Sequence, residues 1–171
     1  QENSQRDAII AALNFNIFAR HADRVRGANI AQMINVLQAM ILTDKEKMVL
    51  TPTYHAFRMY VPFQNAVRLK THYEQGVYKE GDIQLPRIDA ISARDNQGRI
   101  WLAITNIDLK QSADIDLTLL GKAIDSAEGE ILQAPAIDAT NTFAKPNLVA
   151  PKNLALKSAN GKLKFTIAPQ S

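Results

Sequence analysis

The chain has 171 residues, 46% of them hydrophobic and 22% charged, which is enough apolar material for a buried core and excludes general disorder. Its formal charge of +3 is small and spread along the sequence, so it lacks the basic stripe a phosphate backbone needs; neither nucleic acid nor a membrane surface is an expected partner. Cysteine is absent, which excludes disulfides, zinc–thiolate sites, iron–sulfur clusters and a cysteine nucleophile but leaves the compartment open.

The polar run Gln1-Glu2-Asn3-Ser4-Gln5-Arg6-Asp7 carries no signal-peptide pattern, and a start at Gln1 points to processing or to a longer parent chain. Ser4 or Asn3 caps a predicted helix over residues 4–20, with Asp7 in the first turn and Arg20-His21 at the end. Ile9, Ile10, Leu13, Ile17 and Phe18 recur at helical spacing and give that helix a wide apolar face. The small residues of 25–32 read as a tightly packed strand, so helix and strand together fit the last units of an α/β fold. Met40-Ile41-Leu42-Thr43 and Met48-Val49-Leu50 flank the polar turn Asp44-Lys45-Glu46-Lys47 and predict a hairpin. Thr51-Pro52 opens a second helix, which Pro62 should stop.

From residue 63 onward the pattern is β. Residues 88–94 and 99–106 form a predicted hairpin around Asp95-Asn96-Gln97-Gly98. Residues 114–119 alternate strictly, 124–133 read as a strand interrupted by Gly129, and 163–167 alternate again after Asn160-Gly161. Residues 141–151 form a loop with two prolines. Strands at this spacing suggest an antiparallel sandwich, and a chain that stops straight after a strand suggests that the final strand is missing.

The chemistry is sparse. His21, His55 and His72 lack metal-ligand spacing, and the seven glycines form no phosphate-cradling loop, so no metal and no cofactor is expected. No G-x-S-x-G elbow supports a serine hydrolase. Glu46, Glu74, Glu80, Glu128, Glu130, Asp114 and Asp116 stand in polar or strand-edge contexts and read as solvated surface charge. Asn29, Gln32, Asn35 and Gln38 fall within ten residues among apolar neighbours. Such amides must be hydrogen-bonded, either to loop backbone or to a ligand such as a sugar hydroxyl.

Several runs resemble one family. They are His21-Ala22-Asp23-Arg24-Val25, Ala28-Asn29-Ile30-Ala31-Gln32, Asn35 through Thr43, Lys47 through His55 with Phe57, Met59 and Tyr60, then Leu85-Pro86-Arg87-Ile88-Asp89-Ala90, Thr105-Asn106, and the N-T-F-x-x-P run Asn141 to Pro146. Together they resemble the C-terminal part of family 51 glycoside hydrolases, which are retaining α-L-arabinofuranosidases. The resemblance implies a mostly β fold: the last helix–strand–helix elements of a (β/α)₈ barrel over 1–62, then a jelly-roll-type β-sandwich over 63–171. It implies that Gln32, at the end of the last barrel strand, contacts the substrate, while Asn29 is structural. It also implies that the acid/base and nucleophile glutamates lie on earlier barrel strands, so that no catalytic residue stands in this chain and the chain alone is inactive. The implied partners are an arabinofuranosyl oligo- or polysaccharide, the rest of the barrel, and further copies of the protein. The competing reading is a non-catalytic sandwich module that binds sugar or assembles an oligomer.

Overall fold

The computed structural model describes residues 3–31 and 33–171. Helix α1 spans Gln5–Arg20, with Ser4 at its N-cap. The Asp7 carboxylate reaches back to accept from the Ser4 N–H at 2.7 Å and from Ser4 Oγ at 2.9 Å, which anchors the first turn. The hairpin is formed by β1 (Ile41–Asp44) and β2 (Lys47–Leu50), with Asp44 opposite Lys47 across a two-residue turn. Lys45 takes φ 54° there, the left-handed conformation that such tight turns require. Helix α2 covers Pro52–Tyr60; Thr51 Oγ1 accepts from the Tyr54 N–H at 3.3 Å and donates to the Ala39 carbonyl at 2.8 Å. Pro62 falls in a 3₁₀ turn over Val61–Phe63, where the α-helix has ended.

The strand expected over 25–32 is not seen. Its described part, residues 25–31, has no regular structure, and Gln32 lies outside the described residues. The physical reason is the ladder: a strand's N–H and C=O groups need a neighbouring strand, and no described segment lies in register with 25–31.

The remaining strands are β3 (Val67–Leu69), β4 (Val77–Glu80), β5 (Ile83–Pro86), β6 (Ile88–Arg94), β7 (Ile100–Asn106), β8 (Ala113–Leu117), β9 (Glu130–Leu132), β10 (Pro151–Asn153), β11 (Lys157–Ala159) and β12 (Lys162–Ile167). Their ladders are all antiparallel. One sheet runs β3-β6-β7 and another β11-β12-β8, with the two-stranded pairs β4-β5 and β9-β10 beside them. Ile88 and Ile104 of the first sheet meet Ala113, Ile115, Phe165 and Ile167 of the second, with Ile131 between, in one apolar core. This is the expected mostly β, antiparallel sandwich. The strand predicted over 124–133 contracts to Glu130–Leu132, and that over 114–119 shifts to Ala113–Leu117.

Strand alternation gives the first sheet two uses. Ile88 faces the sandwich core, while Asp89 on the opposite face meets α1. A second core of Ala8, Ala56, Leu132 and Val149 ties both helices to β9 and the loop before β10, and its alanines let the backbones approach closely. Gln5 adds polar ties: Nε2 donates to the carbonyls of Leu132 (3.2 Å) and Gln170 (2.8 Å). The wide apolar face of α1 is only partly used, because Ile10 and Ile17 remain 49% and 46% exposed.

Candidate functional site

Gln32, the one residue assigned to substrate from the sequence, lies outside the described residues. The residues that bracket it are described. Ala28, Asn29, Ile30, Met33, Met40 and Phe57 line an open cleft of about 420 Å³. The Met33 carbonyl holds its far wall, accepting from the Met40 N–H at 3.0 Å and the Ile41 N–H at 3.1 Å. Asn35, at φ 53°, serves the backbone: its Nδ2 donates to Thr43 Oγ1 at 2.9 Å and its Oδ1 accepts from the Thr43 N–H at 2.8 Å. Gln38 Nε2 reaches Thr53 Oγ1 at 3.5 Å. Two of the four clustered amides therefore have structural roles. Asn29, expected to be structural, instead lines the cleft and is exposed. The alternation that would have turned it away belongs to a strand, and 25–31 is not one.

Glycoside hydrolysis by paired carboxyls needs one that stays protonated near neutral pH. The described aspartates with a resolved shift go the other way. Burial alone pushes Asp89 up, but hydrogen bonds from Arg20 Nη1 (2.8 Å) and Nη2 (3.1 Å), Asn16 Nδ2 (2.9 Å) and Tyr73 Oη (3.0 Å) outweigh it and bring its pKa below the ordinary value. Asp95 is brought down to about 2 by the Trp101 indole N–H, then by Arg99 and backbone N–H groups. At Asp108 burial is again outweighed, here by the Lys110 and Gln111 N–H groups and by the Arg87 guanidinium. Glu130 is ion-paired to Arg58 at 2.7 Å. These carboxylates are acceptors committed to the fold, suited to holding structure and unsuited to protonating a leaving group.

His55 is buried on α2 with neither ring nitrogen partnered among the described residues, and burial lowers its pKa, so it stands neutral. His21 and His72 are exposed. Among the described residues no group of three His, Cys, Asp or Glu side chains could hold a metal, and no helix is long and apolar enough to cross a membrane.

The N-T-F-x-x-P run is a clamp. Asn141, 4% exposed, donates from Nδ2 to the carbonyls of Leu50 and Val149, both at 2.8 Å, and accepts from the Val149 N–H at 2.8 Å. It thereby pins the loop before β10 to the end of β2.

Small antiparallel sheets around a shared apolar core, with α1 packed against β6 and β7, define a helix-backed antiparallel β-sandwich. The family model described as the alpha-L-arabinofuranosidase C-terminal domain matches residues 1–171, and the chain belongs to that family. It is 36% identical to an intracellular exo-alpha-L-arabinofuranosidase of Bacteroides ovatus over 169 residues, covering 96% of this chain and 33% of that protein. The GH51 arabinofuranosidase of Xanthomonas axonopodis pv. citri superposes with a TM-score of 0.94 at 44% identity, covering 99% of this chain and 35% of that one. The thermostable GH51 alpha-L-arabinofuranosidase of Thermotoga petrophila RKU-1 shares the fold, with a TM-score of 0.83 at 24% identity over 97% of this chain and 37% of that one. The chain thus spans about a third of the length of the curated relatives it matches.

Proposed function

We propose that this chain is the C-terminal part of a retaining α-L-arabinofuranosidase that releases terminal arabinofuranosyl residues from arabinan, arabinoxylan or their oligosaccharides. Residues 1–62 complete a barrel supplied by upstream polypeptide, residues 63–171 form the sandwich beside it, and the acid/base and nucleophile glutamates lie in the upstream part. The observation that carries this reading is the end-to-end likeness to the Xanthomonas arabinofuranosidase at 44% identity. Surface chemistry supports the docking. Ile10 (49%), Ile17 (46%), Met33 (57%), Leu37 (75%) and Met48 (60%) are exposed apolar side chains in or near the helical part, the kind of surface that a partner covers. Upstream polypeptide is the occupant, because the relatives carry about two-thirds of their length outside the matched region. Self-association of the complete protein belongs to the same proposal; the β4–β5 hairpin, with Val77, Ile83 and Leu85 exposed, supports it as a contact surface.

Gln32 is the substrate-contacting residue of this proposal, its amide donating to one furanose hydroxyl and accepting from a neighbour. In the complete protein Gln32→Ala removes those bonds in a nearly dry site, a loss of about 1–3 kcal/mol. That corresponds to a drop of roughly 5- to 150-fold in kcat/KM on an aryl arabinofuranoside, with the melting temperature unchanged. Unchanged kcat/KM overturns the assignment, and a lowered melting temperature with normal kinetics gives Gln32 a loop-holding role instead.

A further inference from the structure

β11 and β12 are joined by a turn of two residues, Asn160 and Gly161, with Ala159 opposite Lys162. Both turn residues take positive φ, 53° and 72°, the type I′ geometry whose twist matches that of the strands it joins. Asparagine is among the few side chains that tolerate this conformation, and glycine takes it without strain. The second position admits nothing larger than glycine: a Cβ on Gly161 would lie 2.9 Å from Ala123 Cβ and 3.3 Å from Ala123 Cα. The Gly161 carbonyl also accepts from the Ile124 N–H at 2.9 Å, which ties the turn to the segment before β9. The fold thus favours asparagine at the first turn position and requires glycine at the second.

The pair that makes this turn is also chemically reactive. A backbone nitrogen that follows asparagine can attack the side-chain carbonyl carbon, and glycine leaves that approach clear of a Cβ. Asn160-Gly161 is the only such dipeptide in the sequence. Asn160 is exposed, and its side chain has no hydrogen-bond partner among the described residues, so it is free to turn toward the next nitrogen. Gly161 lies outside both strands, and its N–H meets no backbone acceptor among the described residues.

The surroundings favour the attack. Lys157 stands opposite Lys164 and Ala159 opposite Lys162, so the three lysines share one exposed face of the sheet beside the turn. Lys164 is paired with Asp116 at 3.1 Å, whereas Lys157 and Lys162 are in no ion pair among the described residues. Unopposed positive charge stabilises the anions that form as the nitrogen loses its proton and the carbonyl is attacked. β11 is an edge strand of three residues, all exposed, so the turn opens locally at little cost and lets the side chain and nitrogen meet.

We infer that Asn160 is a site of spontaneous covalent modification, converting to aspartate and isoaspartate through a cyclic imide with Gly161. Hydroxide takes the Gly161 amide proton, and the nitrogen electron pair forms a bond to Asn160 Cγ. The Cγ–Nδ2 bond breaks, and Nδ2 leaves as ammonia after gaining a proton from water. Water then opens the imide at either carbonyl. Opening at Cγ leaves aspartate in the original backbone; opening at the Asn160 backbone carbonyl routes the chain through Cβ and Cγ as isoaspartate. The extra main-chain atom does not fit a two-residue turn. The Gly161–Ile124 bond and the fit against Ala123 are lost, and β11 comes away from β12. The inference uses none of residues 28–40 and does not depend on hydrolysis of a sugar.

The test holds the complete protein in mildly alkaline and in mildly acidic buffer for days and follows the tryptic peptide of residues 158–162 by mass. That peptide should gain the difference between an amide and an acid, ahead of every other asparagine-containing peptide and several-fold faster in the alkaline buffer. The product should accept a methyl group from an isoaspartate-specific methyltransferase, and the Ile124 amide should exchange its hydrogen faster in the modified fraction. Asn160→Gly, which suits the positive φ and lacks the side-chain carbonyl, should abolish the change and leave the melting temperature unchanged. Three results overturn the inference: no mass gain in the folded protein, with a urea-unfolded sample as the reactive control; a gain spread evenly over the other asparagines, which makes it general ageing; or no isoaspartate with Ile124 exchange unchanged.

Discussion

Asp89, together with Asp95 and Asp108, and His55 are residues through which the fold responds to acid. Asp89 accepts from Arg20, Asn16 and Tyr73, and these bonds hold its pKa below the ordinary carboxylate value despite burial. The folded state thus favours the ionised form. That stability is present above the unfolded pKa of about 3.9 and is lost as the pH falls through the lower folded value. At His55, burial first and then the charge of Arg58 lower the pKa. The unfolded chain takes up this proton near pH ~6.5 while folded His55 resists it, so stability declines as the pH drops below that point. Denaturant-derived stability plotted against pH should therefore fall in two stages, one starting near pH ~6.5 and one below about pH 4. His55→Leu should remove the first stage. Asp89→Asn should lower stability at neutral pH by about 2 kcal/mol, the loss of a charge-assisted hydrogen-bond set, and shrink the second, to which Asp95 and Asp108 also contribute. A His55→Leu curve that superimposes on the original between about pH 5 and 7 contradicts the account of His55.

At the scale of elements, Thr51 joins β2 to α2. Its hydroxyl oxygen accepts from the first turn of α2 and donates to the Ala39 carbonyl, at 1% exposure. Thr51→Ala should cost about 1–2 kcal/mol, and Thr51→Ser should restore most of it, read from thermal melts of the two variants side by side. A Thr51→Ala melt equal to the original would remove the cap from the account. The same element shows what a sequence reveals. Thr-Pro before an apolar-periodic run is a local signal, and α2 begins where that signal places it. The 41–50 hairpin and the β6–β7 pair are likewise local: each has its turn between its two strands. Residues 25–31 failed for the opposite reason, since no signal within the segment reports whether a neighbour exists to complete a ladder. β3, β10 and β11, of three residues each, are too short for periodicity to register. The clamp at Asn141 was visible as a motif but not as a clamp, because its partners Leu50 and Val149 are distant or irregular in sequence.

At the scale of the whole molecule, the small sheets and shared alanine-rich core make one body of the helices and the sandwich, with apolar side chains of α1, residues 33–37 and β2 left outside it. The described aspartates with resolved shifts are held ionised, and the chain matches about a third of its relatives' length. These facts agree with a part that positions chemistry located elsewhere. The central claim is that upstream polypeptide supplies the acid/base and nucleophile, and it is tested by assaying purified chain and complete protein on an aryl α-L-arabinofuranoside under identical conditions. The account predicts turnover by the complete protein and none by residues 1–171 over hours. Turnover by residues 1–171 at an enzyme-like rate, abolished by replacing a carboxylate within them, would contradict it.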